Sequence, residues 1–590
     1  MKIVLAQQNY HIGNFEDNSR KIIEAIHQSK QMGADLVVFS ELCVCGYPPR
    51  DFLEFNDFIN KCYETIDLIK VHATDIGVVV GGPARNPSKE GKDLFNAAWL
   101  LHEGEVKAVV AKTCLPTYDV FDEYRYFEPA YEWHTVPFKG RNLAITVCED
   151  IWNLGDNPLY RFCPMDKLMD QRPDLMVNIS ASPFDYDHDD DRKEIIRANV
   201  TKYKVPIVYC NAVGSQTEVV FDGGSLVFDR DGNIISELKY FEEDLQMVEI
   251  PPHTWPEHHE EKARAEKPAW PVDDKSTTPW THTASIEYNR PMQVSKVKDP
   301  EKIISYLTQE KNIAEIHQAL LLGIRDYFRK MGFKKAILGS SGGIDSAVTL
   351  VLACEALGKE NVRAILMPSQ FSSGHSVSDA EQLSKNIGNP YDIIPIEHIY
   401  HAFLDALKPV FKDAPFNVAE ENLQSRTRGN LLMAVANKFG YILLNTSNKS
   451  ELATGYGTLY GDMAGGLAVL GDVYKMQVYA LAKYLNRNEE IIPVNILDKA
   501  PSAELREDQK DSDSLPEYPL LDKVLYQYIE RRQGPKEIVG MGIDKALVDK
   551  VLKLVNTNEY KRNQFCPIIR VSSKAFGVGR RVPIVGKYLS

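Results

Sequence analysis

The fold of the second half of the chain is decided by the stretch Ala336-Ile337-Leu338-Gly339-Ser340-Ser341-Gly342-Gly343-Ile344-Asp345-Ser346. Its apolar residues predict a buried strand, its glycines predict a tight turn, and the apolar run that follows Ser346 predicts a helix. The backbone N–H groups of such a turn and the helix N-terminus form a cradle for phosphate. Ser341 and Ser346 add hydroxyl donors, and Asp345 implies a bridging Mg²⁺ because a bare carboxylate repels phosphate.

This loop is not a Walker A motif, because Gly-Lys-Ser/Thr is absent from it. It resembles the Ser-Gly-Gly-x-Asp-Ser motif of the adenylating, pyrophosphate-releasing ATPases, which implies that Gly339 to Ser346 bind ATP as a substrate. The resemblance also implies a Rossmann-like, doubly wound parallel sheet of the ATP-pyrophosphatase type. Adenylation gives an unreactive carboxylate a leaving group, AMP, which ammonia then displaces. The alternative is a tight glycine turn that binds nothing.

The first half of the chain is predicted to be an α/β domain in which three reactive residues each follow an apolar strand. These residues are Glu41, Lys112 and Cys148. Side chains at strand ends converge on ligands in α/β sheets, and we expect adjacent strands to bring the three together. Glu41 can accept the proton of the thiol, and Lys112 can stabilise an oxyanion. Taken singly, a core cysteine, a solvated glutamate and a carbonyl-capping lysine are the alternatives.

Four segments of the first half resemble the nitrilase (carbon–nitrogen hydrolase) superfamily. They are Phe39-Ser40-Glu41-Leu42, Lys112-x-x-Leu115-Pro116-x-Tyr118-x-x-Phe121-x-Glu123, Val147-Cys148-Glu149-Asp150-Ile151-Trp152 and Asn178-x-Ser180-Ala181-Ser182-Pro183-Phe184. The resemblance implies an αββα sandwich, with Glu123 as a second acid near the nucleophile and with Tyr118 and Ser182 as glutamine contacts. Six residues past that serine the family usually has a lysine, where this chain has His188. A glutamine contact and a solvent-exposed loop histidine are equal alternatives for His188.

Segments downstream of the ATP loop closely resemble the glutamine-dependent NAD synthetases in order and spacing. They are Glu421–Gly429, Asn445–Glu451, Gly455–Met463, Lys475, Pro501–Leu505 and Asn558–Arg562. The resemblance implies amidation of deamido-NAD (nicotinic acid adenine dinucleotide) to NAD through an adenylated intermediate. AMP and pyrophosphate leave, and the ammonia comes from glutamine hydrolysed in the first domain.

The resemblance also assigns residues of this chain by position. The ATP contacts beyond the loop are Thr446, Lys475 and Ser502. The Mg²⁺ ligands are Asp345 and Glu451. The deamido-NAD contacts are Asn422, Arg428, Glu451 and Lys561. The basic residues suit phosphates or the pyridine carboxylate, although each one alone is more often a surface charge.

Other functions remain as alternatives at this point. GMP synthetases pair such a loop with a Cys-His-Glu amidase, and asparagine synthetases use an N-terminal cysteine. Here the cysteine is internal, its base is a glutamate, and the chain begins Met1-Lys2, so both fit poorly. A non-catalytic first domain is a further alternative, which the intact set of Glu41, Lys112 and Cys148 disfavours.

Composition limits the partners and the compartment. The 590 residues predict two large domains, at 1–250 and 301–590, joined by a linker or surface excursion at 251–300. The net charge of −14 disfavours nucleic acid and anionic membranes as partners, and no apolar run approaches the roughly 20 residues of a spanning helix. Nine scattered cysteines without a Cys-x-x-Cys pair predict a reducing, cytoplasmic location. We also expect a homo-oligomer, because both resembled families usually self-associate, and a protected path for ammonia between the two sites.

Overall fold

The computed structural model describes residues 1–154, 159–186, 188–253, 297, 299–507 and 509–589, without the side chains of residues 188 and 189. Its first region is built from many strands and a few helices. The strands are β1 (Lys2–Gln7), β2 (Leu36–Val38), β3 (Gly77–Arg85), β4 (Leu94–His102), β5 (Glu105–Ala111), β6 (Val136–Phe138), β7 (Arg141–Val147), β8 (Leu175–Ser180), β9 (Ile207–Asn211), β10 (Val213–Gln216), β11 (Val219–Asp222), β12 (Leu226–Phe228), β13 (Ile234–Glu237) and β14 (Asp244–Glu249). The helices are α1 (Phe15–Gln31), α2 (Asn56–Lys70), α3 (Pro164–Leu168) and α4 (His188–Tyr203).

Two six-stranded sheets form the first region, with strand orders β14-β1-β2-β3-β4-β5 and β13-β12-β9-β8-β7-β6. Alternate residues of a strand point to opposite faces of its sheet. In β1, Ile3 and Leu5 enter the core between the sheets, whereas Val4 and Ala6 pack in the cluster that contains α1 and α2. Side chains of α3 and α4 pack on the outer face of the second sheet. The predicted αββα sandwich is thereby confirmed.

The second region is a parallel sheet covered by helices. Its strands are β15 (Ala336–Gly339), β16 (Val362–Leu366), β17 (Tyr391–Ile393), β18 (Ile442–Asn445) and β19 (Leu467–Ala468). Its helices are α5 (Ile303–Leu307), α6 (Glu310–Met331), α7 (Ile344–Leu357), α8 (Gly374–Ile387), α9 (Glu397–Phe411), α10 (Val418–Phe439), α11 (Lys449–Thr454), α12 (Lys475–Leu485), α13 (Val494–Asp498), α14 (Tyr518–Leu525), α15 (Pro535–Gly540), α16 (Lys545–Thr557) and α17 (Glu559–Arg562).

The sheet of the second region is doubly wound, as predicted. Its order is β17-β16-β15-β18-β19, and all neighbours pair in parallel. Ala336 and Leu338 of β15 face the core that contains α6, α7 and α12, while Ile337 faces the core that contains α10. The strand order reverses between β15 and β18, and ligands of open α/β sheets bind at the carboxyl ends of strands beside such a reversal.

The predicted domain boundaries stay predictions. The last strand of the first region, β14, pairs antiparallel with β1 and ends at Glu249, just before the boundary at 250. Residues 254–296 and 298, which make up most of the predicted linker 251–300, lie outside the described residues. No helix within the described part of the chain is long and apolar enough to cross a membrane.

The two regions are packed against each other through a shared core. Phe184 and Tyr186 of the first region belong to the same apolar cluster as the helices of the second. Beside this core, Asp326 of α6 accepts hydrogen bonds from the side chain of Asn9 and the backbone N–H of Ser215, each at 2.7 Å. Contacts between the regions are therefore both apolar and polar.

Candidate active sites

A buried ion triad forms the centre of the first site. Lys112 Nζ lies 2.7 Å from Glu41 Oε1 and 2.9 Å from both carboxylate oxygens of Glu123. Lys112 and Glu41 are fully buried, and Glu123 is nearly so. Burial lowers the pKa of Lys112, but Glu123 and Glu41 raise it well above its ordinary value, so the lysine is charged. Burial raises the pKa of Glu123.

Neutral donors fix both carboxylates in place. Asn96 Nδ2 donates to Glu41 Oε1 at 2.7 Å and to Glu123 Oε2 at 3.2 Å. The Tyr47 hydroxyl donates to Glu123 Oε1 at 2.8 Å, and the backbone N–H of Ala181 donates to Glu41 Oε2 at 3.0 Å. Neither Asn96 nor Tyr47 is among the predicted site residues, and both hold the predicted ones in position.

Cys148 follows β7 and begins a short 3-10 helix, Cys148–Ile151. Its φ of 43° lies in the left-handed region, which is uncommon for a residue other than glycine. Burial raises the pKa of the Cys148 thiol well above its ordinary value, Glu41 raises it further, and Lys112 lowers it. The thiol is therefore neutral at rest, and a nucleophilic attack requires a base to take its proton.

The three predicted residues meet across the two sheets, and the expectation that adjacent strands bring them together is wrong. Glu41 and Lys112 follow β2 and β5, which β3 and β4 separate in the first sheet, while Cys148 follows β7 in the second sheet. β7 packs against β4 and β5 through the sandwich core. Asp150 links the segment after β7 to the segment after β5. Its Oδ1 accepts hydrogen bonds from the backbone N–H groups of the two residues after Lys112, at 3.0 and 2.8 Å.

The predicted glutamine contacts differ in how far the structure describes them. The Tyr118 hydroxyl donates to both carboxylate oxygens of Glu149, at 2.9 and 3.0 Å, and Tyr160 donates to the same group at 3.3 Å. Burial raises the pKa of Glu149 to about 7. Ser182 is buried just beyond β8. His188 begins α4, but its side chain lies outside the described residues.

In the second region, every predicted ATP, Mg²⁺ and dinucleotide residue lines one cavity of about 640 Å³. The cavity lies where the strand order reverses, beyond the ends of β15 and β18. The predicted residues in its lining are Gly339, Ser340, Ser341, Gly342, Gly343, Ile344, Asp345, Ser346, Asn422, Arg428, Thr446, Glu451, Lys475, Ser502 and Lys561. The structure therefore places the predicted residues of this half together in one cavity.

The glycine-rich loop has the geometry of an anion cradle. Gly342 has a φ of 77°, and a Cβ there would lie 2.3 Å from the carbonyl oxygen of Ser376, so only glycine fits. Ser346 Oγ donates to the carbonyl of Gly343 at 2.9 Å and accepts from the backbone N–H of Ser341 at 3.2 Å. These bonds close the loop at the start of α7, where the helix N-terminus favours phosphate.

Lys475 lies between two carboxylates of this cavity. Its Nζ is 2.5 Å from Asp345 Oδ2 and 3.3 Å from Glu451 Oε1. Asn448 Nδ2 donates to Asp345 Oδ1 at 2.9 Å. Burial raises the pKa of Glu451, and the like charge of Asp345 raises it further. Both carboxylates line the cavity, so an additional cation could reach their oxygens there.

The Asp345–Glu451 pair fits the predicted Mg²⁺. Mg²⁺ prefers hard oxygen ligands and commonly takes one or two carboxylates together with substrate phosphates and waters. Among the described residues no cluster of three or more His, Cys, Asp or Glu side chains is arranged to hold a metal. Two carboxylates beside a phosphate cradle agree with the ligands that Mg²⁺ commonly takes together with substrate phosphates.

The remaining residues of the cavity are held by the protein itself. Arg428 Nε donates to a main-chain carbonyl at 3.0 Å, and Lys561 Nζ donates to two, at 2.7 and 2.8 Å. Burial lowers the pKa of Arg428 to about 10, and burial also lowers the pKa of Lys561. Asn422 accepts from a threonine hydroxyl at 2.7 Å, and Ser502 donates to a main-chain carbonyl at 2.6 Å. Thr446 is half-buried directly after β18.

Two family models match the chain. The carbon-nitrogen hydrolase model matches residues 2–259, and the NAD synthase model matches residues 316–565. The two matches cover the two regions in the order in which their sites were found.

Full-length similarity extends across both regions. The glutamine-dependent NAD(+) synthetase of Synechocystis sp. is 42% identical over 589 residues, which cover 99% of this chain and 98% of the relative. That of Thermotoga maritima is 40% identical over 594 residues, covering 100% and 99%. The structure of glutamine-dependent NAD+ synthetase from Acinetobacter baumannii in complex with ADP superposes with a TM-score of 0.70 at 35% identity, covering 99% of this chain and 98% of that one.

Proposed function

The chain belongs to the glutamine-dependent NAD(+) synthetases, and we propose that it amidates deamido-NAD to NAD with ATP and with ammonia that its first region releases from glutamine. The observation that carries this proposal is the presence, in one chain, of a buried cysteine–glutamate–lysine site and a phosphate-binding cavity. AMP and pyrophosphate are the other products. The roles assigned to individual residues below are part of the proposal.

In the glutaminase site, Glu41 takes the proton of the Cys148 thiol as Sγ attacks the amide carbon of glutamine. Lys112 stabilises the oxyanion of the tetrahedral intermediate as a fixed positive charge. Glu41 then returns the proton to the departing ammonia, and water hydrolyses the thioester to glutamate. Glu123 holds Lys112 in place, and Tyr118 and Ser182 contact the substrate.

In the synthetase site, the loop Gly339–Ser346 holds the phosphates of ATP while the carboxylate of deamido-NAD attacks the α-phosphorus. Pyrophosphate leaves, and ammonia then displaces AMP from the adenylated carboxyl group. Asp345 and Glu451 would hold Mg²⁺, which when bound neutralises the charge of the phosphates. Thr446, Lys475 and Ser502 contact ATP.

The dinucleotide is proposed to bind in the same cavity as ATP. Asn422, Arg428, Glu451 and Lys561 contact deamido-NAD. The guanidinium of Arg428 and the ammonium of Lys561 are suited to its phosphates or its pyridine carboxylate. This assignment is supported by their common place in the cavity lining.

The ammonia is proposed to travel inside the protein, because near pH 7 water converts most ammonia to ammonium, which has no lone pair for attack. An enzyme that consumes ammonia, added in excess to the assay, is expected to lower the glutamine-supported yield of NAD only slightly. Near-complete suppression of the yield would show that the ammonia passes through bulk solvent.

We also propose a homo-oligomer in a reducing, cytoplasmic compartment. All nine cysteines are free, which supports a reducing location. The homo-oligomer is proposed because both families that the chain resembles usually self-associate. Sedimentation velocity at micromolar concentration tests the assembly, and a single monomeric species would contradict it.

The experiment that tests the function is Cys148→Ala, assayed with glutamine and separately with ammonium chloride. Glutamine-supported NAD formation is expected to fall by roughly 10⁴-fold or more, because the nucleophile is lost. Ammonium-supported formation is expected to stay within about twofold of wild type, because the synthetase cavity is unchanged. Normal use of glutamine by the variant would refute the assignment of Cys148.

A further inference from the structure

The segment of residues 568–574, here called the bridging segment, runs between the two regions. Its backbone forms hydrogen bonds to both of them in turn. The N–H of Arg570 donates to the carbonyl of Glu218 at 2.8 Å, and the carbonyl of Val571 accepts from the N–H of Tyr186 at 3.1 Å. The N–H of Val571 donates to Asp472 Oδ2, in the second region, at 2.8 Å. The segment therefore belongs to the second region but is fixed to the first.

The side chain of Arg570 enters the first region and is almost completely buried there. Its Nη2 lies 2.8 Å from Asp119 Oδ2 and 3.7 Å from Asp185 Oδ2, and its Nη1 donates to the carbonyl of Phe184 at 3.1 Å. Only 7% of the side chain is exposed. A buried guanidinium that reaches two separate segments holds them at a fixed distance, because its donors form a planar, rigid fork.

Both of these segments carry proposed glutamine contacts. Asp119 directly follows Tyr118, whose hydroxyl bonds to Glu149 at 2.9 Å, and Phe184 lies two residues past Ser182. Asp119 adopts a φ of 52°, a left-handed conformation that is uncommon for a residue other than glycine. The surroundings of a residue must hold such a conformation in place, and the ion pair with Arg570 is part of those surroundings.

We propose that Arg570, which comes from the synthetase region, is a positioning residue of the glutaminase site. It sets the separation of the Tyr118–Asp119 turn and the Ser182–Asp185 segment, between which glutamine binds. The inference rests on the proposed function, because it concerns the use of glutamine. It assigns a part of the glutamine site to the second region, outside the Tyr118 and Ser182 motifs of the first region.

The variant that tests the role is Arg570→Met, which keeps much of the length and removes the fork. The two segments then lose their common partner, and Lys574, whose Nζ is 3.4 Å from Asp119 Oδ1, reaches only one of them. The KM for glutamine, measured as glutamate release, is expected to rise by roughly ten- to hundredfold, because misplaced contacts weaken substrate binding. Arg570→Lys is expected to give an intermediate KM, because an ammonium group can hold Asp119 alone.

Two further variants separate positioning from general damage. Asp119→Asn removes the charge of the partner and is expected to raise the KM for glutamine, and Arg570→Met/Asp119→Asn is expected to be no worse than Arg570→Met alone. Arg329→Met is a surface control. Arg329 also pairs with an aspartate beside the interface of the regions, Asp326 at 2.9 Å, but its side chain is 54% exposed and remote in sequence from both glutamine segments. Its KM for glutamine is expected to stay within about twofold of wild type, as for most surface substitutions.

The readouts distinguish failure of this inference from failure of the proposed function. Ammonium-supported NAD formation is measured for every variant, because Ser572, two residues past Arg570, bonds to Lys449 at 2.7 Å beside the synthetase cavity. The inference predicts a raised KM for glutamine with ammonium use retained. An unchanged KM in both Arg570→Met and Asp119→Asn, or an equal loss with glutamine and with ammonium in both, would overturn it. Absence of glutamate release by the wild-type protein would instead refute the proposed function.

Discussion

Each half of the molecule contains a lysine between two carboxylates, and the two clusters differ in what surrounds them. Lys112 lies between Glu41 and Glu123 with side-chain exposures of 0%, 0% and 6%. Lys475 lies between Asp345 and Glu451, whose side chains are 17% and 16% exposed and line a cavity of about 640 Å³. The same three charges are almost completely buried in one half and line an open cavity in the other.

The two clusters differ in whether protein groups alone provide hydrogen-bond partners for their charges. In the first cluster the carboxylates also accept from Asn96, Tyr47 and a backbone N–H, so its charges are fully partnered within the protein. Such a preorganised site can meet a developing oxyanion without rearrangement. In the second cluster both carboxylates face the cavity, where the phosphates of ATP and the proposed Mg²⁺ would bind. We infer that the charges of the first cluster are held in position by the protein alone. The charges of the second cluster gain their remaining partners when its substrates bind.

The largest effect is expected when Lys112 is replaced by Met. Two buried carboxylates then face each other without a cation, which is expected to cost about 3–5 kcal/mol of the free energy of unfolding. Glutamine hydrolysis is expected to fall by roughly 10³-fold or more, because the proposed oxyanion stabiliser is also lost. Thermal unfolding and glutamate release measure the two effects. A variant with wild-type stability would show that the first cluster is not the closed unit described above.

The corresponding change in the second cluster, Lys475→Met, is expected to have a smaller effect on stability. The free energy of unfolding should fall by about 1–3 kcal/mol, because the carboxylates reach the solvent of the cavity and one of them can take up a proton. NAD formation from ammonium is expected to fall by roughly 10²- to 10³-fold, while glutamate release is retained.

Mg²⁺ provides the control for this second change. Because a ligand that binds the folded state stabilises it, Mg²⁺ should raise the unfolding temperature of Lys475→Met more than that of wild type. In Lys112→Met the same addition should restore nothing, since that cluster is almost completely buried and has no phosphate cradle beside it. Equal responses of the two variants to Mg²⁺ would contradict the distinction between an open and a closed cluster.

The residues that the sequence predicted are those that stand in uninterrupted motifs. Glu41, Lys112 and Cys148 each follow a short apolar strand, and the loop Gly339–Ser346 combines strand, turn and helix within a few residues. The α/β class of both halves followed from local patterns, whereas the doubly wound sheet and the αββα sandwich followed from family resemblance. Local patterns did not predict that Cys148 and Glu41 approach each other from different sheets. The packing of one sheet on another depends on residues that are distant in the sequence.

Asn96 shows why the rest could not be predicted. Its strand, β4, contains no β-branched residue and is rich in leucine and alanine, which favour helices by intrinsic propensity. It is a strand because β3 and β5 pair with it on both sides. The ion pair of Arg570 with Asp119 is likewise a product of tertiary packing, since its members lie in different regions of the chain.

The pH dependence of stability in the first site depends on Glu149. Burial raises the pKa of Glu149 to about 7, above the value of about 4.3 in an unfolded chain. Between these values the folded protein holds a proton that the unfolded chain has lost, so the contribution of this group to stability is present below pH 4.3 and declines as the pH rises to 7.

Glu149→Gln should remove that decline, on the order of 3 kcal/mol, while keeping an acceptor for Tyr118. The measurement is the difference in unfolding temperature between wild type and variant from pH 4.5 to pH 8, which should change up to pH 7 and then level off. A difference that is constant over the whole range would show that Glu149 is already ionised in the folded protein at low pH, and that this part of the first site is wetter than the Lys112 cluster beside it.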